Sequence, residues 1–167
     1  IAPTCFDNAK NQDETDIDCG GVTCAPCQLS GLILNEVDYD QVGADNGEFV
    51  EIYNNTGAPV SLVGVHLVLV NGANSTSYLS VDLSPAALLA QGQYLVVGPP
   101  NLMIDPGALK VDFAKAIDNL QNDTEGLALV DVGGPTLLDA LSYEGSITMA
   151  NLPNLPGTTL VEGTAFT

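Results

Sequence analysis

Residues 13–27 read DETDIDCGGVTCAPC, placing four carboxylates and three thiols in fifteen positions. Two chemistries need that combination: a disulfide-tied loop that grips a hard cation, or a cysteine-ligated soft metal. All four cysteines, Cys5, Cys19, Cys24 and Cys27, fall in the first 27 residues, and the other 140 residues contain none. An even, clustered set in a short acidic segment is the signature of a disulfide framework made in an oxidising compartment. Cys24 and Cys27 have the close spacing of a zinc knuckle, but thirteen residues separate Cys5 from Cys19, so a second close pair is lacking. The intervening carboxylates favour hard cations over zinc. A redox dithiol would need a strand–helix surround, and the flanking sequence does not supply one. Disulfides are therefore expected, with three connectivities open.

The carboxylates set the second expectation. Asp7, Asp13, Glu14, Asp16 and Asp18 lie within twelve residues and face one base, Lys10, while Asn8 and Asn11 add neutral oxygens. Calcium takes six to eight oxygen ligands, which a flexible Asp/Asn loop with glycines can supply. Disulfides would hold these like charges close, and a bound cation would relieve the repulsion. The expected ligands are Asp7, Asn11, Asp13, Glu14, Asp16 and Asp18, in an order that is not that of an EF-hand, with a solvated acidic loop as the alternative. A second acidic group comprises Glu36, Asp38, Asp40, Asp45, Glu48 and Glu51. Glu36, Asp38, Asp45 and Glu48 form a candidate metal set there, with a solvated polar sheet face as the alternative. A third group, Asp118, Asn122, Asp123 and Glu125, reads as an acidic loop before a strand.

Other chemistries find little support. With 21 acidic residues, three lysines and no arginine, the net charge of −18 repels phosphate backbones and anionic membranes. No apolar run reaches the ~18 residues of a membrane-spanning helix. His66, the one histidine, lies between Val65 and Leu67 in a strand-like run, and neither a nucleophile elbow nor a phosphate-cradling loop occurs. Carboxylate pairs can hydrolyse glycosides, but the chain has no tryptophan to form a sugar platform. Asn54, Asn74 and Asn122 open glycosylation sequons. A non-catalytic protein is expected.

The elements that would position these residues are strands. GLILNEVDYD, GEFVEIYNNTG, VGVHLVLVNG, STSYLSVDLS, GQYLVVGPP, EGLALVDVGG and TLLDALSYEG are short runs rich in Val, Leu, Ile and Tyr, each bounded by turn-forming residues. Alternation in the first predicts Ile33, Val37 and Tyr39 on one face and Glu36, Asp38 and Asp40 on the other. SPAALLAQGQ allows one helical turn after Ser84, and ALKVDFAKAIDNL fits either a strand or a short helix. Seven or more such runs predict an all-β, immunoglobulin-like antiparallel β-sandwich over residues 29–167, preceded by the disulfide-tied loop segment 1–28.

Two resemblances add to this reading. CFDNAKNQDETDIDCGGVTCAPC resembles a cysteine-rich segment of secreted and surface bacterial proteins, often C-x-D-G-x-x-N-G-x-E-T-D-x-D-C-G-G, departing from it at Asn8 and Gln12. LILNEVDYDQVGADNGEFVEIYNNTGAPVSLVGVHLVLVNG, then GQYLVVG, then EGLALVD and LLDALSYEG, resembles the lamin tail domain in its bacterial secreted form, over roughly residues 30–163. The resemblance implies an immunoglobulin-like sandwich that binds or anchors, and it brings no catalytic residue. Members commonly continue past a TLVEG-like strand, whereas this sequence stops at Thr167; a natural variant or trimmed chain explains this, as does a sheet edge that a neighbour fills. IAPTC reads as a mature N-terminus.

Together these readings predict a secreted or cell-surface structural or adhesive module, stabilised by calcium. Its partner would be its own copies, in an oligomer or filament, or another surface protein. An accessory binding domain of a secreted hydrolase is the alternative.

Overall fold

The computed structural model describes residues 31–162. The cysteines and the first acidic segment lie outside that range, as do residues 163–167. Twelve strands occupy the described chain: β1 (Leu32–Asp38), β2 (Phe49–Asn54), β3 (Val60–Ser61), β4 (Val65–Asn71), β5 (Thr76–Asp82), β6 (Leu88–Leu89), β7 (Tyr94–Gly98), β8 (Leu109–Asp112), β9 (Glu125–Asp131), β10 (Thr136–Tyr143), β11 (Ala150–Leu152) and β12 (Leu155–Thr158). A 3-10 turn at Ser84–Ala86 carries Pro85 at its start, where a missing N–H costs nothing. The ambiguous stretch 108–120 contributes strand β8 and then a crossing loop rather than a helix. No helix among the described residues is long and apolar enough to cross a membrane.

The strands form a β-sandwich. One sheet has the order β1-β2-β7-β8, the other β10-β9-β4-β5-β11-β12, and β3 pairs with β6 separately. Pairing is antiparallel except where β8 joins β7 and where β11 meets β5 at one residue pair. Between the sheets lies the main core, which includes Leu32, Leu34, Ile52, Leu67, Leu69, Leu95, Phe113, Leu127 and Leu129.

β4 and β9 read as continuous apolar runs because both of their faces are covered. Leu67, Leu69, Leu127 and Leu129 face the main core, while Val68, Val70, Ala128 and Val130 face a second core. That second core is roofed by Ile147, Ala150, Leu152 and Leu160 from the C-terminal part of the chain. Gly126 permits the close fit, since a Cβ there would meet Leu160 Cδ1 at 2.5 Å. Residues 159–162, the start of the TLVEG stretch, are not in a strand; they anchor through Leu160, which is fully buried and donates its N–H to Ile147 O at 2.8 Å.

The alternation expected in β1 is corrected by a bulge. The β1–β2 register shifts between Leu34 and Glu36. Leu32 and Leu34 therefore enter the core on one side of the irregularity, and Val37 and Tyr39 do so on the other. Ile33 takes the opposite face, paired with Tyr53, because the inserted residue resets the two-residue period.

Candidate functional site

The strand ends place most of the remaining polar chemistry at one end of the sandwich. Three connections meet there: β1 to β2, β8 to β9, and the turn after β10. Glu48, the residue before β2, is fully buried. Its Oε2 accepts from Asn119 N–H at 2.8 Å and Asn119 Nδ2 at 3.3 Å, and its Oε1 accepts from Leu120 N–H at 3.0 Å. This carboxylate thus holds the β8–β9 crossing loop onto the sandwich. Burial raises its pKa, and the three donated hydrogen bonds oppose that rise.

Glu125, the first residue of β9, is 2% exposed, and its Oε2 has no hydrogen-bond partner among the described residues. Burial pushes its pKa up to about 7, and the nearby Asp123 charge adds to the shift. The Tyr78 and Tyr143 phenols border the same region; their pKa values are raised, chiefly by burial and secondarily by neighbouring ionisable groups that include Glu125. Tyr78 donates to Asn119 O at 3.3 Å, and Tyr143 donates to Gln121 O at 2.9 Å. Tyr39 stacks on Tyr143 with ring centroids 4.2 Å apart and donates to Glu144, which raises its pKa.

The second acidic set does not meet at one point. Glu36 lies opposite Glu51 on the outer sheet face. Asp38 accepts from Gln41 Nε2 at 2.7 Å. Asp45 accepts from Gln41 N–H at 3.0 Å and Asn122 Nδ2 at 2.9 Å, and these donors lower its pKa. Asn122 also reaches Asp40 at 3.4 Å, so Asp40 and Asp45 share a donor from the third group. Glu48 turns inward, as described. Among the described residues, no group of three or more His, Cys, Asp or Glu is arranged to hold a metal ion. The ligands expected at Asp7, Asn11, Asp13, Glu14, Asp16 and Asp18 lie outside the described residues.

His66 sits in β4 with Nδ1 3.0 Å from Ser80 Oγ and Nε2 3.9 Å from Asp82. Asp82 is held by Ser84, whose hydroxyl and N–H donors lower its pKa. The Ser80 hydroxyl, the His66 ring and the Asp82 carboxylate therefore adjoin on neighbouring strands, with Asp82 beyond hydrogen-bond reach of the ring.

Compared with known protein families, the sequence matches the Lamin Tail Domain over residues 27–145. The chain belongs to the lamin tail domain family. No curated protein matches it. The match spans β1 through β10, both sheets of the main core and the buried carboxylate Glu48. The second-core roof, from Ile147 to Leu160, lies beyond it. Lamin tail domains are immunoglobulin-like modules of a non-catalytic type.

The structural roles of Glu48 and Glu125 were not expected from the sequence, which placed Glu48 in a candidate metal set and Glu125 in an acidic loop. Glu48 immediately precedes β2, and Glu125 opens β9.

Proposed function

We propose that the chain is a non-catalytic structural or adhesive module, secreted or held at a cell surface, that associates with its own copies. Calcium bound by the N-terminal acidic segment stabilises it, and disulfides tie that segment together. Membership of the lamin tail domain family is the observation that carries the reading. The deployment of the carboxylates supports it: those most shielded from water, Glu48 and Glu125, are buried in the sandwich end instead of lining a cleft. The four cysteines and five acidic residues within the first 27 positions support the extracellular and calcium components.

The test is the mass of the native protein across a concentration series, with millimolar calcium and with chelator. The reading expects species larger than one chain that respond to calcium. A chain that stays monomeric throughout, and whose melting is indifferent to chelator, removes the assembly and calcium components together.

A further inference from the structure

Three Asn-x-Thr sequons occur in the chain, at Asn54, Asn74 and Asn122. The structure separates them by what each side-chain amide already does. Attachment of a glycan replaces one of the two hydrogens on Asn Nδ2 with the anomeric carbon of a sugar. The acceptor therefore has to be an exposed Nδ2 whose hydrogens are not both committed.

Asn54 fails on both counts. It ends β2 fully buried, and its Nδ2 donates to Ala58 O and to Leu89 O, each at 2.9 Å. A sugar there would remove one of these bonds and would have to be accommodated inside the core. Asn122 is exposed but engaged. Its Nδ2 reaches Asp45 Oδ2 at 2.9 Å and Asp40 Oδ1 at 3.4 Å, tying the β8–β9 crossing loop to the β1–β2 connection. The hydroxyl of its sequon is also committed, since Thr124 Oγ1 donates to Glu144 O at 3.2 Å.

Asn74 differs from both. It lies exposed in the turn between β4 and β5, and its Nδ2 has no hydrogen-bond partner among the described residues. Its Oδ1 accepts from Thr76 N–H at 2.9 Å and from Thr76 Oγ1 at 2.6 Å, which closes a turn through the side chain. These bonds fix the oxygen and leave the nitrogen as the free end of the amide. The turn itself is firmly held. Ser75, at φ +57°, donates its N–H to Asn71 O at 2.8 Å and accepts Asn151 N–H at 2.8 Å. Gly72 N–H donates to Thr124 O at 2.9 Å, and Asn71 Nδ2 donates to Gln121 Oε1 at 2.7 Å. None of these bonds uses Asn74 Nδ2, so a glycan there leaves the anchoring of the turn intact.

We propose that Asn74, of the three sequons, is the N-glycosylation site of this chain. The proposal rests on the extracellular reading above, because the modification belongs to surface loops of exported proteins. The donor substrate is an oligosaccharide carried on a polyprenyl pyrophosphate. In the transfer, the bond between sugar C1 and the pyrophosphate oxygen breaks and C1 bonds to Asn74 Nδ2. The lipid pyrophosphate leaves with the electron pair, and one Nδ2 proton passes to a base of the transferase. Before folding all three amides are open, so the selection acts on the folded product: a sugar on Asn54 obstructs closure of the core, and one on Asn74 does not.

The test is site occupancy in the full chain exported from a eukaryotic host that N-glycosylates. An endoglycosidase in heavy-oxygen water converts each linked Asn to labelled Asp, which peptide masses then locate. The expected product carries one glycan, on Asn74. Asn74→Gln and Thr76→Ala should each abolish it, whereas Thr76→Ser, which keeps the hydroxyl, should retain it. An exported chain bare at Asn74 overturns the proposal, and so does occupancy at Asn54 or Asn122 that equals or exceeds that at Asn74. Protein recovered from its native cells separates this failure from that of the extracellular reading. Protein found outside those cells and bare at Asn74 removes the glycan alone; protein found only inside them removes both.

Discussion

Glu48 shows how one side chain can organise a loop that has little regular structure of its own. Its carboxylate accepts the Asn119 and Leu120 N–H groups, and both residues are buried. Glu48→Ala leaves these donors without a partner, and each buried orphan costs roughly 1–3 kcal/mol. Chemical denaturation should therefore show a loss of about 3 kcal/mol, with faster amide exchange at both positions; an unchanged midpoint would contradict the anchoring role. Glu125 has the reverse character. Its folded pKa of about 7 lies above the ordinary 4.5, so the folded state retains a proton that the unfolded chain releases. The resulting penalty is absent below about pH 4.5, grows as pH rises, and is complete above about pH 7. Glu125→Gln should raise stability by about 2 kcal/mol at pH 8 and by almost nothing at pH 4, as read from paired melts. An equal gain at both pH values would show that packing, not ionisation, is responsible. Neither role was legible in the sequence, because an acidic residue in an acidic stretch looks solvated until the strand behind it is known to be buried.

At the level of elements, the sequence was most informative where hydrophobic period and turn residues agreed. β1, β2, β4, β5, β7, β9 and β10 all coincide with runs bounded by Gly, Asn, Pro or Asp. The β1 bulge was hidden, since the inserted residue, near Asn35, is an ordinary polar residue and the apolar spacing around it still fits an uninterrupted strand. The β11–β12 hairpin was hidden for another reason: its two short strands enclose Pro153 and are interrupted by Pro156 and Gly157, which individually argue against strands. Long-range packing over β4 and β9 overrides that local preference. The seam between β1 and β10 depends on Asp139 in a similar non-local way, because its contact with Leu34 joins residues 105 positions apart. Asp139→Ala should cost about 1.5–3 kcal/mol, the usual worth of a hydrogen bond to a charged group. It should also speed exchange of the Leu34 amide more than that of Ile52 in the sheet interior. Uniform acceleration would mean that the seam opens only with global unfolding.

At the scale of the whole molecule, the proposed calcium site in the N-terminal segment depends on charge and covalent chemistry acting together. The segment 1–28 holds five acidic residues against Lys10, and the remainder of the chain is itself strongly acidic. Bringing such groups together without a counter-ion is unfavourable, whereas cross-links that hold them close prepare a site for a hard cation. If both disulfides form, the intact mass should lie about four hydrogens below that of the reduced chain, and the denatured protein should offer no titratable thiol. Calcium at ~100 times its dissociation constant should then add about 2.7 kcal/mol to a fold that binds it only in the native state. Replacing Asp16 and Asp18 by Asn should shrink that increment and leave the β-type circular dichroism of the sandwich unchanged, since its two cores draw on residues from Leu32 onward. On the proposed reading reduction should shrink the increment too, since cross-links are what would hold the like charges close. Stoichiometric zinc with free thiols would reverse the assignment of the cysteines, and a calcium response that survives both the substitutions and reduction would place the cation elsewhere on the chain.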